Sequence, residues 1–235
     1  MRAQRIAIAI ILAGIVAGTL TILLAALPEL GCEGQPTALS MPRAAEREIT
    51  AERTVRQVFV SPRNGLNRLD VYFQTYFRTN THPVTVRLLQ LAPGNDPLAS
   101  GTEQFSATFD PAGLPAQGWR MFNFAPLPDS AGQTYVIVIE SPESVPGNAV
   151  TVGGMIGANP YAPGPAFVGG VPLDGDIAFR ACYQMSAAEK WQVFFEQLTH
   201  NRPGVWGSPG FYVILLLGYA ALIAVLFGWL AKRVS

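Results

Sequence analysis

Two long apolar runs stand near the ends of the chain, and between them apolar and polar residues alternate in short segments. Residues 6–27, IAIAIILAGIVAGTLTILLAAL, carry no charge over 22 positions, and residues 211–231, FYVILLLGYAALIAVLFGWLA, carry none over 21. About 20 apolar residues suffice for a helix to cross the hydrocarbon layer, so each run predicts a transmembrane helix. The first run also invites a signal-peptide reading, but the apolar core of such a peptide usually ends after about 7–15 residues. Its length favours a retained span.

Residues 28–48 read as a linker, interrupted by Pro28, Gly31, Gly34, Pro36 and Pro42. From 49 to 184 the period changes to two. Strands are predicted near 54–60, 67–77, 84–91, 102–109, 118–124, 133–140, 149–154 and 176–184, with turn residues between them. In LDVYFQTYF, Leu69, Val71, Phe73, Thr75 and Phe77 share one face, and Arg68, Asp70, Tyr72, Gln74 and Tyr76 the other. Val84, Val86 and Leu88 repeat the pattern, as do Phe105, Ala107 and Phe109. TYVIVIE is apolar on both faces, as a central strand would be. Many short alternating strands predict an antiparallel sandwich, and about eight of them suit an all-β jelly roll. The segment 153–170 holds six Gly and three Pro and reads as a surface loop with one short strand near Ala166–Val168.

Beyond the last strand, residues 185–210 predict a juxtamembrane helix and loop. Ser186 and Glu189 form a capping-box pattern. Trp191, Phe194, Phe195 and Leu198 follow at helical spacing, and Pro203 stops the helix near Asn201. With Trp206, this aromatic stripe suits a helix lying at the membrane interface; packing on the sandwich is the alternative.

The strings QVFVSPRNGLNRLDVYFQTYFR and PLPDSAGQTYVIVIESPE…PGNAVTV…DGDIAFRACY resemble galactose-binding-like extracytoplasmic jelly-roll modules of bacterial membrane proteins, some fused to multi-spanning glycosyltransferases. The resemblance covers about residues 50–184. It implies a β-sandwich that binds or packs against something in the envelope, and it brings no catalytic signature.

Charge sets the expected topology. Arg2 and Arg5 in the 1–5 terminus, and Lys232 and Arg233 in the 232–235 terminus, favour the cytoplasmic side. Residues 28–210 are then extracytoplasmic, in a two-pass protein of the bacterial cell membrane. They hold 12 basic and 16 acidic residues, a net charge of −4 that argues against nucleic acid as a partner. Small residues at four-residue spacing, Gly14 and Gly18 in one run and Ala220, Ala224 and Gly228 in the other, suit close packing of helices in lipid.

Reactive groups are few. His82 and His200 belong to no zinc-binding pattern, and only His82 is placed for a Ser–His–Asp arrangement. Asp174 and Asp176 are weak candidates for calcium, with Asp70, Asp129 or Glu140 as further oxygens; a D-G-D turn explains them equally. Arg68, Asp70, Tyr72, Gln74 and Tyr76, joined by Arg87, compose a candidate glycan platform, against which stands ordinary cross-strand pairing. Cys32 and Cys182 in an oxidising compartment predict a disulfide closing a loop of about 150 residues, worth about 4–5 kcal/mol at most. A lipid-anchored Cys32 in ELGC is the rival. No cofactor is expected. These features point to a noncatalytic accessory or structural subunit of an envelope membrane-protein complex, in contact with the lipid bilayer and other subunits. A membrane-tethered glycan-binding module is the alternative and an envelope hydrolase the remote one.

Overall fold

TYVIVIE forms a strand with a neighbour on each side in the computed structural model of the protein, which describes residues 14, 18–19, 29–34, 48–156, 161 and 163–234. The predicted span 6–27, apart from Gly14, Gly18 and Thr19, and most of the linker lie outside the described residues. The chain divides into two compact units, one of Cys32–Gln184 and one of Met1–Gly31 with Met185–Ser235.

The first unit is built from antiparallel strands. One sheet has the order β1 (Cys32–Gly34), β13 (Phe179–Tyr183), β3 (Leu66–Gln74) and β6 (Gln117–Leu127), with β8 (Thr151–Val152) also paired to β3. The other has the order β11 (Val171–Pro172), β10 (Ala166–Val168), β2 (Val55–Val60), β7 (Thr134–Glu140), β4 (Val84–Leu91) and β5 (Thr102–Phe109). A two-stranded ribbon joins β9 (Gly154–Ile156) to β12 (Gly175–Ile177).

The two sheets face each other through their alternating apolar positions. Phe59 on β2 meets Phe179 on β13 at 5.4 Å between ring centroids, and Phe73 on β3 meets Phe109 on β5 at the same distance. Phe109 also meets Phe122 of β6 at 5.8 Å. Leu69, Val71, Ile137 and Ile139 are fully buried beside them. Each such side chain contributes about 1.5–3 kcal/mol relative to exposure, which makes this layer the main source of stability. The other face of the six-stranded sheet carries a second cluster of Val58, Leu89, Leu91, Val136, Val138 and Phe167. That cluster explains why β7 is apolar on both sides.

The predicted strand 67–77 stops at Gln74. Tyr76 and Phe77 have φ of 52° and 61°, in the left-handed region, so alternation ends there; Phe77 is 94% exposed instead of lying in the core. The predicted strand 176–184 is two strands, β12 and β13, belonging to different sheets. The segment 149–154 likewise divides into β8 and β9. β1 and β11 have no counterpart in the alternation, being only three and two residues long.

In the second unit, Ala187–Thr199 is a helix whose capping box is complete: Ser186 Oγ accepts from Glu189 N, and Glu189 accepts from Ser186 N. It ends at His200, with Asn201 at φ 56°. A 3₁₀ turn at Gly204–Gly207 leads into the helix Pro209–Val234. The window Pro209–Leu226 has mean hydropathy 2.2, and none of it is buried within the chain. It is the one helix among the described residues that is long and apolar enough to cross a membrane.

Candidate functional site

A cavity of about 410 Å³ opens between β2 and β13, where the two sheets meet near β1. Alternation along β13 sends Phe179, Ala181 and Tyr183 inward, and Phe59 of β2 faces them. Tyr161 and Pro163 supply a third wall. The Tyr161 ring meets Phe179 edge-on at 5.3 Å. Its hydroxyl donates to the Val60 carbonyl and accepts from the Val60 amide, both at 3.1 Å, and so ties the wall to the end of β2.

The wall is held from behind by a buried polar pair. Gln57 points into the sandwich from β2, where a polar residue has no water to bond. Its Nε2 donates to Asp176 Oδ1 at 3.1 Å and to the Gly164 carbonyl at 3.1 Å, and its Oε1 accepts from Ile177 N at 3.0 Å. Asp176 Oδ2 accepts from Tyr161 N at 2.9 Å. Both side chains are at most 1% exposed. A Cβ on Gly164 would collide with the Val58 backbone, so glycine is required for this close approach. Asp176 is therefore a positioning residue for the cavity, with both carboxylate oxygens engaged by amides. Asp174, its predicted companion for calcium, is exposed in the turn, and Gly175 takes a φ of 143°.

The cavity offers apolar contact and little reactive chemistry. Burial raises the Tyr183 phenol far above its ordinary range, and Ser61 hydrogen-bonds it at 3.2 Å. Burial also raises Tyr161, reinforced by the charges of Glu33 and Asp176 and opposed by its Val60 hydrogen bond. Both phenols are neutral at physiological pH. Glu33 is the one carboxylate in the lining among the described residues, and it is paired with Arg63 at 2.7 Å; both side chains are about two-fifths exposed.

On the opposite face of β13 lies the disulfide. Cys32 and Cys182 are bonded, with Cα atoms 3.9 Å apart. Arg68 Nη2 approaches Cys32 Sγ at 3.1 Å and donates to Asp70 Oδ2 at 3.0 Å. Cys32, Asp70 and Cys182 cluster as metal ligands would, but the bonded sulfurs are not thiolates.

The predicted platform does not assemble as an exposed surface. Asp70 and Gln74 are buried, Tyr76 lies beyond the strand, and Tyr72 packs edge-on against Trp119 at 5.3 Å. Arg180 covers the Trp119 ring at 4.2 Å. Arg87 belongs to β4 in the other sheet, where it pairs with Glu140 at 2.9 Å and Glu103 at 3.9 Å. Alternation separates the two faces as far as Gln74, but it carries no information on which strand lies beside which.

The residues predicted for the membrane interface and for helix packing divide. Trp191, Phe194 and Phe195 contact one another at 5.5–5.9 Å, and all remain at least partly exposed, as does Leu198. The helix's buried residue is Val193, on the side opposite that stripe. Trp206, 52% exposed, meets Phe211 at 4.8 Å. Gly14, Gly18, Ala220, Ala224 and Gly228 are exposed. Nothing lies within 4 Å of a Cβ built on any of the three glycines. His82 lies 3.8 Å from the Glu143 carboxylate, and His200 caps its helix.

Gln57, Tyr161 and Glu33 were not singled out from the sequence. Gln57 had a signal: it occupies an inward position in VRQVFV, where a polar side chain requires a buried partner. No protein-family model matches this chain, and no curated protein matches it either.

Proposed function

We propose that the chain is a noncatalytic, membrane-anchored accessory or structural subunit of a bacterial envelope complex, with its sandwich on the extracytoplasmic side. The observation that carries this reading is the helix Pro209–Val234. No residue of its window Pro209–Leu226 is buried by the chain, and Ile214, Leu217 and Val225 are 72%, 65% and 66% exposed. In water that exposure would be strongly unfavourable, so lipid or another apolar helix has to cover it. The Cys32–Cys182 bond supports export to an oxidising compartment. In this reading residues 6–27 form a second span, both termini are cytoplasmic, and the sandwich is a jelly roll of the galactose-binding-like kind. The partly exposed aromatic stripe at Trp191–Leu198 lies at the interface, and the small-residue stripes meet a partner's helices. The glycan-binding alternative has less support, because its platform residues are buried, stacked or in different sheets.

Solubilisation of membranes in mild detergent, followed by sizing and identification of co-purifying chains, tests the proposal. A stable complex with other membrane proteins is expected. A lone monomer, or recovery of the full chain in the soluble fraction, contradicts it.

A further inference from the structure

The geometry points to a lipid-binding role for the cavity between β2 and β13: it takes a single hydrocarbon chain of a membrane amphiphile, with the headgroup left at the rim. Three observations converge. The first is size and lining. A volume of about 410 Å³ lies within the 300–1,000 Å³ usual for small-molecule sites, and the walls are Phe, Tyr, Pro, Val and Ala.

The second is polarity. The Tyr161 hydroxyl is used twice by the Val60 backbone, and the Tyr183 hydroxyl is taken by Ser61. A sugar or peptide would bury its polar groups against these engaged hydroxyls, at a cost of about 1–3 kcal/mol for each group left unpaired. A hydrocarbon chain has no such cost and gains about 0.8 kcal/mol per buried methylene. The one charged residue of the lining among the described residues, Glu33, is paired with Arg63 and about two-fifths exposed, so it stands on the solvent side. That arrangement orients an amphiphile chain inward.

The third is location. Glu33 and Tyr183 line the cavity, and each is one residue from an end of the sandwich unit, Cys32 and Gln184. The two points where the chain passes out of the sandwich unit, Cys32 and Gln184, are thus each next in sequence to a residue of the cavity lining. The membrane as source of the ligand rests on the proposed function above; the cavity's preference for hydrocarbon does not.

The test uses the full chain in phosphatidylcholine nanodiscs with two photoactivatable probes. One is palmitic acid carrying a diazirine near its methyl end; the other is phosphatidylcholine with the same acyl chain. Labelled peptides should include Phe59–Pro62 and Phe179–Tyr183, and excess unlabelled palmitate or lipid should remove that label. Filling the cavity in Ala181→Leu and Ala181→Phe should lower it in order of added volume, at least tenfold in the second. Labelling of Pro209–Val234 should be unchanged, with the disulfide intact. Labelling by either probe upholds the site and says which amphiphile it takes. Label confined to Pro209–Val234 in the unmodified chain overturns the proposal without any variant, as does cavity label unaffected by both substitutions. Alkaline carbonate extraction separates the two readings. A chain released by carbonate yet labelled at the cavity retains the lipid site and loses the membrane anchor.

Discussion

Cys32 and Cys182 stand directly opposite each other on adjacent antiparallel strands, and their disulfide fastens β1 to β13 at the outer face of the sandwich. The bond spans 150 residues of sequence, so it restrains nearly the whole sandwich in the unfolded chain. Cys32→Ser should abolish the mobility difference between reduced and non-reduced samples on a gel. It should also lower the free energy of unfolding by about 4–5 kcal/mol at most. Cys182→Ser should match it. Unchanged denaturation midpoints in both variants would show that the bond restrains nothing.

Beneath that bond, Arg68 and Asp70 form an ion pair at 2.9 Å, with Asp70 almost fully buried. Removing one partner leaves a charge without compensation. Asp70→Leu alone should destabilise by about 3–5 kcal/mol, whereas Arg68→Leu with Asp70→Leu should cost much less than the sum of the single changes. Urea unfolding of the two single variants and the double variant measures the coupling; additive losses would contradict it.

The bond network behind the cavity makes a separate prediction. Asp176→Ala leaves the Tyr161 amide without its acceptor and removes one acceptor from Gln57. A loss of about 2–4 kcal/mol is expected, with faster amide exchange at Tyr161 and Ile177. If this carboxylate instead bound calcium, unfolding of the native protein would shift strongly on adding chelator. No such shift is expected, because both its oxygens already accept from the chain.

Alkaline pH probes the buried phenols. Tyr135, Tyr161 and Tyr183 are all raised above 10.0 by burial, so the folded chain holds these protons more tightly than the unfolded one. Their contribution to stability is complete below pH 10.0 and is lost as pH climbs from there through the folded-state values. The denaturation midpoint should be level between about pH 8 and 9 and fall beyond about pH 10. Tyr183→Phe should flatten that fall. It also loses the Ser61 hydrogen bond, for about 1 kcal/mol at neutral pH. An equal slope in the variant would assign the alkaline loss to other groups.

How much of this was legible beforehand depended on the range of the interaction. The capping box at Ser186 and Glu189 is local, and it formed as its spacing required. Along FRACY, alternation sets Cys182 on the side of Arg180 and away from Phe179 and Tyr183, and Cys182 bonds Cys32 there. The double-sided apolar run of β7 likewise found two neighbours. Apart from the Cys32–Cys182 bond, where only two cysteines were present to pair, pairings between distant strands were not legible. Gln57 and Asp176 are 119 residues apart, and no period in the sequence connects them. Arg87 shares a polar face pattern with Arg68, yet strand order puts it in the other sheet. The left-handed backbone at Tyr76 and Phe77 broke an alternation that looked continuous, since neither is a glycine or asparagine that would have marked a turn. The cavity is itself a product of strand order, because Phe59 and Phe179 meet only when β2 and β13 face each other.

The central claim, an extracytoplasmic sandwich anchored by an apolar helix, is tested most directly by protease accessibility in spheroplasts. The full chain carries an epitope tag after Ser235, and fragments are read with the tag and with an antibody against the sandwich. Added protease should destroy the sandwich signal and leave a small tagged fragment, protected until the membrane is permeabilised. A sandwich that survives until permeabilisation, or a tag digested in intact spheroplasts, would contradict it.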